Sequence, residues 1–496
     1  MSLPEPKGEA DYCDNASGSG REESIEQKLD KNGLPLVPQP SSDPSDPLNF
    51  PQWLKVVILI QASVMALLGP FNTAVINPAL VPLGEHFDVS TVTASYQTTI
   101  AIAFAGSGAF LWVPLANTYG RRPVMLFTAL VAAASSLGSG KAETWGTLIV
   151  SRVFNGLAVS SFFTLGAALV SDCFFLHERG RAMGLFTVCL TNSANIAYIP
   201  GGFLGQYVSY RWCYYLPGIC DITLFAIMLF CLPETLYHRG STTVETKRPI
   251  LKRMRLWGYH QKGHHLRVVD FLRPFEMLLY PSVSVLAVYY AFLFTISSIL
   301  PAVTSASIFT ELYNFTASQV GLALGVGTLI GTTLGEMLGG TVVDRTMYIH
   351  RKRHPDAEIV PEVKLHGIWA GAALQPIGLL IWGFTINYHT PWIGPTMGFS
   401  IMSFALQIVT TVVYSYATDC YKPQTSEISQ IFNFIRQTLG MTVGFWAITG
   451  GENLGYHLFS VMLALIGLVL FVPVVWLMFK GKAARLRLGQ PISTRK

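Results

Sequence analysis

Twelve times along this chain, charged residues give way to a nearly uncharged apolar stretch long enough to cross a lipid bilayer. The stretches fall at about 56–82, 94–116, 123–139, 146–170, 183–205, 213–232, 281–304, 318–341, 367–386, 392–415, 431–450 and 457–479. A helix of roughly 20 residues matches the hydrocarbon thickness of a membrane. In lipid every backbone N–H and C=O must be satisfied internally, which restricts such stretches to helices packed together. Composition agrees: only 13% of the 496 residues are charged, where a soluble domain has about a quarter. The expected fold class is therefore an all-α membrane protein of 12 transmembrane helices in two six-helix bundles.

Lys and Arg orient the array. With the N-terminus in the cytoplasm, the loops on the far side hold only Lys141 and Arg211. The near side holds Arg121, Arg122, Arg179, Arg181, Lys422, nine basic residues between spans six and seven, five after span eight and six at the C-terminal end. That asymmetry predicts both termini on the cytoplasmic side. Five regions follow: a polar, acidic tail at 1–50, expected to be disordered; a first bundle at 51–232; a basic linker at 233–280; a second bundle at 281–480; and a tail at 481–496. The N-terminal region lacks the basic start and apolar core of a secretory signal, so no cleavage is expected. The seven cysteines show no metal or disulfide spacing and read as small core residues.

The two bundles carry the same mark in the same place. Asn117-Thr118-Tyr119-Gly120-Arg121-Arg122 follows span two, and Gly340-Thr341-Val342-Val343-Asp344-Arg345 follows span eight. Repeated halves around a midplane site are the architecture of a rocking carrier. Further motifs are Ser151-Arg152-Val153-Phe154-Asn155-Gly156 in span four and Pro200-Gly201-Gly202 in span five. Asp46-Pro47-Leu48-Asn49, Glu178-Arg179-Gly180-Arg181 and Pro233-Glu234-Thr235-Leu236-Tyr237 stand at span ends.

Together these residues resemble the major facilitator superfamily, and within it fungal members of the twelve-span drug:proton antiporter branch. Polyamine and organic-cation carriers are among the relatives. The chain departs from the pattern twice: Asn117 and Thr118 replace an Asp-Arg pair, and Ala197-Tyr198 replaces the Gly-Pro of the antiporter motif. The resemblance implies proton-coupled secondary transport of a small organic molecule, by export of a drug-like compound or secondary metabolite. Uptake of a polyamine or organic cation is the alternative. It also implies a multi-pass protein of the plasma membrane, acting without a cofactor.

Two acids fall well inside spans, Asp221 and Glu336. Ionised groups at membrane depth are costly and mark ion or substrate routes. Both are candidates for proton coupling, as is Arg152, to which the resemblance gives that role. The near-side gate is expected to draw on Asn117, Arg121, Arg122, Glu178, Arg179, Arg181, Asp344, Arg345 and Arg436, with Asp344 and Arg345 reaching the charges of the other half. Polar and aromatic side chains in spans are the cavity candidates: Asn72, Asn77, Gln97, Asn192, Asn195, Tyr289, Tyr290, Gln407, Tyr414, Asn433 and Gln437. Any of them could instead be a helix-to-helix hydrogen bond. The glycines of spans two and eight read as close-packing surfaces.

Other classes are weighed on residues. His260-Gln261-Lys262-Gly263-His264-His265 has one histidine box of a membrane di-iron enzyme, but such enzymes need several, and no metal or cofactor is expected. No nucleotide loop points to an ATP-driven pump. A transporter-like sensor would favour a longer C-terminal tail. Expected partners are the bilayer, protons and a small-molecule substrate, with no nucleic acid, and the protein is expected to act as a monomer. Asn314-Phe315-Thr316 is a glycosylation sequon on the far side, whereas Asn15-Ala16-Ser17 faces the cytoplasm.

Overall fold

The computed structural model describes residues 46–237, 266–355 and 360–489, with a few positions between 36 and 43. Within them eleven helices are long and apolar enough to span a membrane. Spans one to six are Gln52–Phe87, Thr91–Tyr119, Arg121–Gly140, Trp145–Cys173, Leu176–Tyr207 and Trp212–Cys231. Spans seven to ten and span twelve are Pro281–Tyr313, Ala317–Arg353, Glu362–Asn387, Ile393–Cys420 and Tyr456–Leu488. Span eleven completes the twelve as two shorter helices, Thr425–Gly440 and Val443–Leu454, separated by a turn at Met441 and Thr442. The twelve-helix fold class expected from the sequence is the one observed. The histidine box at 260–265 lies outside the described residues.

Physical causes of the elements are local. Ser90 accepts from the Thr93 N–H and starts span two, and Thr144 and Thr147 form a reciprocal capping box at span four. The outward faces carry Phe127, Val150, Ile330, Leu465 and Phe479, all exposed, as a lipid-facing belt requires. Several spans run further than their apolar cores: span eight continues to Arg353 and span twelve to Leu488. Span one is broken, since its helix ends at Ala74 and a short 3-10 turn at Asn77–Ala79, containing Pro78, precedes Leu80–Phe87.

Glycines set how closely the spans approach, both within the second half and between the halves. Span eight shows Gly327, Gly331, Gly335 and Gly339 to span ten, and Gly321 and Gly325 to span five. A Cβ at Gly202 would lie 2.5 Å from the Ala317 carbonyl, and one at Gly321 would press into the Tyr198 carbonyl. The Pro200-Gly201-Gly202 motif is thus a seam between halves, at the end of the bundle remote from the start of span one. The Gln206 side chain accepts from the Ser318 N–H across it, and Tyr96 of span two packs on Phe445 of span eleven at 5.1 Å. We call this the remote face, and the end where span one begins the basic face.

Inside the linker lies a helix the sequence reading did not anticipate, Val268–Glu276. Its Phe275 ring stacks on Phe110 of span two at 4.7 Å and meets Phe434 of span eleven edge-on at 5.7 Å. An aromatic triad therefore ties the two halves near the basic face.

Candidate functional site

Between the halves lies a cavity of about 1140 Å³, mouth included. Spans one, two, four, five, seven, eight, ten and eleven all contribute to its wall. Of the residues expected there, Asn77, Asn195, Tyr290, Gln407 and Gln437 line it. Tyr414 and Asn433 stand just behind: Tyr414 packs on Tyr290 at 5.7 Å, and Asn433 bonds Arg436. Asn192 binds the Thr333 hydroxyl across the seam between spans five and eight. Gln97 is buried against Thr98, Tyr289 packs on Phe471, and Asn72 belongs to a separate network. Sequence reasoning missed the hydroxyl lining of Thr73, Thr98, Thr191, Ser297, Ser298, Thr328, Thr332, Ser403 and Thr410. Thr332 accepts from the Asn195 amide at 2.9 Å.

Arg436 needs correcting. Expected at the gate, it stands on the cavity wall. Span eleven begins at Thr425, so Arg436 lies about three turns into the helix rather than at its mouth. Its Nε and Nη2 donate to Asn433 Oδ1 at 3.2 and 3.0 Å, and Nη1 donates to the Tyr290 hydroxyl at 3.2 Å. The guanidinium lies 4.6 Å from the centre of the Phe294 ring. Beside it span seven makes a π-helical turn, Thr295–Ile299, which brings Ser297, Ser298 and Ile299 to the wall.

A second polar centre is buried wholly within the first half. Asn72 of span one donates to the Asp221 carboxylate of span six at 3.1 Å, and its Oδ1 accepts from Ser136 of span three at 2.8 Å. Arg152 of span four donates to the Asn72 carbonyl at 3.1 Å and to Asn155 at 3.3 Å. Its guanidinium lies 4.2 Å from the Tyr214 ring centre. Asp221, Arg152, Asn72 and Asn155 are each fully buried, so Asp221 does not reach the membrane surface. Among the described residues no ion pair joins Arg152 to Asp221; Asn72 stands between them, and Arg152 Nε and Nη2 have no acceptor. Glu336 is apart from both centres, half-buried on span eight and not on the cavity wall.

The basic face holds the remaining candidates. Gly120, with φ +107°, ends span two, and the Glu234 carboxylate seats itself against that turn. It accepts the N–H groups of Arg121 and Arg122 at 2.9 and 3.1 Å, and those of Thr235 and Leu236. A Cβ at Gly120 would come within 2.6 Å of Glu234, so two motifs far apart in sequence are one structure. The carboxylate caps the N-terminus of span three. Burial pushes its carboxyl above the ordinary range, against the pull of the backbone donors and Arg121. Arg121 pairs with Asp172 at 2.6 Å, Arg122 donates to the Leu229 carbonyl at 2.7 Å, and Arg179 to that of Ser171 at 2.7 Å. Glu178 lies beside His177 at 3.9 Å and Arg181 is exposed.

Asp344 and Arg345 are exposed, and among the described residues neither forms an ion pair with the first half in this conformation. The expected inter-half contacts are therefore not made here. Asn117 instead borders a groove shared with Asp270 and Arg273 of the linker helix and Glu427 of span eleven. Among the described residues no group of side chains could hold a metal ion.

The sequence pattern of the Major Facilitator Superfamily matches residues 62–445. The chain belongs to that superfamily. An uncharacterized transporter of Schizosaccharomyces pombe is 26% identical over 90% of this chain and 92% of its own length. A multidrug transporter of the superfamily from Candida albicans is 25% identical, covering 89% of this chain and 74% of that protein. A probable efflux pump of Aspergillus flavus is 23% identical over 82% of this chain and 97% of the pump. Among solved structures, a D-xylose–proton symporter superposes with a TM-score of 0.61 at 16% identity, covering 84% of this chain and 97% of the symporter. The shared fold fits twelve helices around a central cavity, and the protein is a multi-pass membrane transporter of this superfamily.

Proposed function

We propose that this transporter is driven by protons and exports a small organic molecule from the cytoplasm across the plasma membrane. The observation that carries the reading is the chain Arg152–Asn72–Asp221. Asn72 holds a buried carboxylate with its side chain and a buried guanidinium with its carbonyl. Its neighbour Thr73, with Gly69 and Pro70, lines the cavity on the same span. A proton gained or lost at Asp221 changes the charge that Asn72 and Arg152 must balance, and span one carries that change to the cavity wall. The proton and the cargo thus occupy different sites coupled through one helix. The efflux pumps among the relatives support the outward direction. Uptake of an organic cation lacks its main requirement, since among the described residues no carboxylate lines the cavity.

In this reading the basic face is cytoplasmic, residues 51–232 and 281–480 form the two rocking bundles, and the protein works as a monomer. Asn314 is exposed at the end of span seven and accepts a glycan. Asp344, Arg345 and the first-half charges meet when the basic face closes. Cysteines placed at Ser2 and Ser493 should resist impermeant reagents in intact cells; labelling of either overturns the orientation. In sealed vesicles an imposed pH gradient should drive cargo without ATP, and a protonophore should stop it. Transport that follows ATP and ignores the gradient overturns the mechanism.

A further inference from the structure

We propose that Arg436 is the binding site for an anionic group of the cargo, so that the molecules carried are organic anions, a carboxylate on an apolar body. The proposal deepens the transport reading and rests on it. Among the described residues that line the cavity there is no Asp, Glu, Lys or His, and the one formal charge is that of Arg436. Among the described residues no carboxylate pairs with it. A cation held at membrane depth without a counter-ion is expensive. An anionic ligand removes that cost, whereas a cationic ligand adds to it.

The group is also aimed. Asn433 and Tyr290 take three of the five guanidinium N–H donors, and the Phe294 ring covers it. Two donors remain, the number a carboxylate accepts side by side. Asn433 Nδ2, buried and without an acceptor, is a further donor next to the same charge. Elsewhere the wall is apolar, hydroxylated or lined by neutral amides, with Ile102, Phe163, Leu190 and Leu406 to take an apolar body.

The test uses the purified full-length protein and matched probes: the acid, amide and amine of phenyl, naphthyl and decyl compounds, titrated calorimetrically at neutral pH without a gradient. For the bodies that bind, the acid should exceed its amide by about 10- to 100-fold, the range for a charge-assisted pair, with the amine weakest. Arg436→Gln should bring acid and amide to parity, and Arg436→Lys should keep part of the preference. Failure of every acid to bind, amide or amine binding at least as tightly as the acid, or an unchanged ratio in Arg436→Gln overturns the proposal. If Arg436→Gln does not purify as a folded monomer, the wild-type ranking and Arg436→Lys decide. The same probes in proteoliposomes separate the two readings. An acid that binds but does not move under a pH gradient overturns transport and leaves the anion site; an amine that moves while the acid does not overturns the site and leaves transport.

Discussion

Among the described residues two arginines stand at membrane depth, and they are built alike. Arg152 lies against Tyr214 and bonds Asn155; Arg436 lies against Phe294 and bonds Asn433. In both, an aromatic ring covers the guanidinium and an asparagine one turn away fixes its direction. What differs is where the balancing charge comes from. Arg152 is sealed, with Asp221 held one residue away through Asn72. Arg436 faces the cavity, and no carboxylate pairs with it among the described residues. A charge balanced from within the fold can sense protonation, and one left to be balanced from outside can sense cargo.

The strongest way to break the comparison is at the sealed centre. Asp221→Asn mimics the protonated acid permanently, so gradient-driven movement should fall by about 100-fold or more, the usual scale for losing an essential proton-transfer group. Exchange of labelled for unlabelled cargo at equal pH should persist. If driven transport survives across a pH series, Asp221 is not the coupling group and Glu336 becomes the next to test.

Arg152→Gln and Arg436→Gln sharpen the contrast. The first should spare the affinity for acid probes while abolishing the response to pH, and the second should do the reverse. Loss of acid binding in both variants would show that the two centres are one.

A smaller effect is expected at the basic face, where the two motif copies repeat the contrast. The first copy is anchored by Glu234, while Asp344 and Arg345 of the second stand exposed. Glu234→Ala removes a charged cap and leaves buried N–H groups unpaired, which should cost about 1–2 kcal/mol and lower the thermal midpoint of the purified protein. Smallest of all, Asp344→Asn should leave the stability within about 0.5 kcal/mol of wild type and that midpoint nearly unmoved, as for an exposed charge. Its effect should appear in exchange rates, through the closed state, as a shift of less than about 1 kcal/mol. A large stability loss in Asp344→Asn would place it in a contact this conformation does not contain.

The spans were legible because a bilayer fixes both the length and the polarity of what crosses it. Arg152 and Asp221 stood out for the same reason: a charge in an apolar run is conspicuous. That Asn72 joins them was not legible, since its partner lies 149 residues away and asparagine in a span has many uses. Arg436 was misplaced because Glu427 made the start of span eleven look like loop, when the helix already begins at Thr425. The cavity's hydroxyls escaped notice because Ser and Thr are common in spans and bond their own backbone, as Thr410 does to the Leu406 carbonyl. The linker helix did leave a signal in Val268, Leu272 and Phe275, spaced for one helical face among basic neighbours.

The π-helical turn at Thr295–Ile299 has a consequence for how such a cavity can be remodelled in evolution. A π turn is one residue more than the α-helix around it requires. Deleting a single codon there would restore regular winding and leave the two parts of span seven facing as they do now, because the wide turn already absorbs the rotation of about 100° that an extra residue imposes on a regular helix. Tyr290 and Phe294 precede the turn, and Pro301 and Ala302 follow it. Both sets line the cavity in the present register and would still do so after the deletion, so the change would fall on Ser297, Ser298 and Ile299 between them. Homologues without the extra residue would therefore keep both flanks of the wall and differ where the turn now brings its own side chains forward, a change that substitution counts alone would overlook.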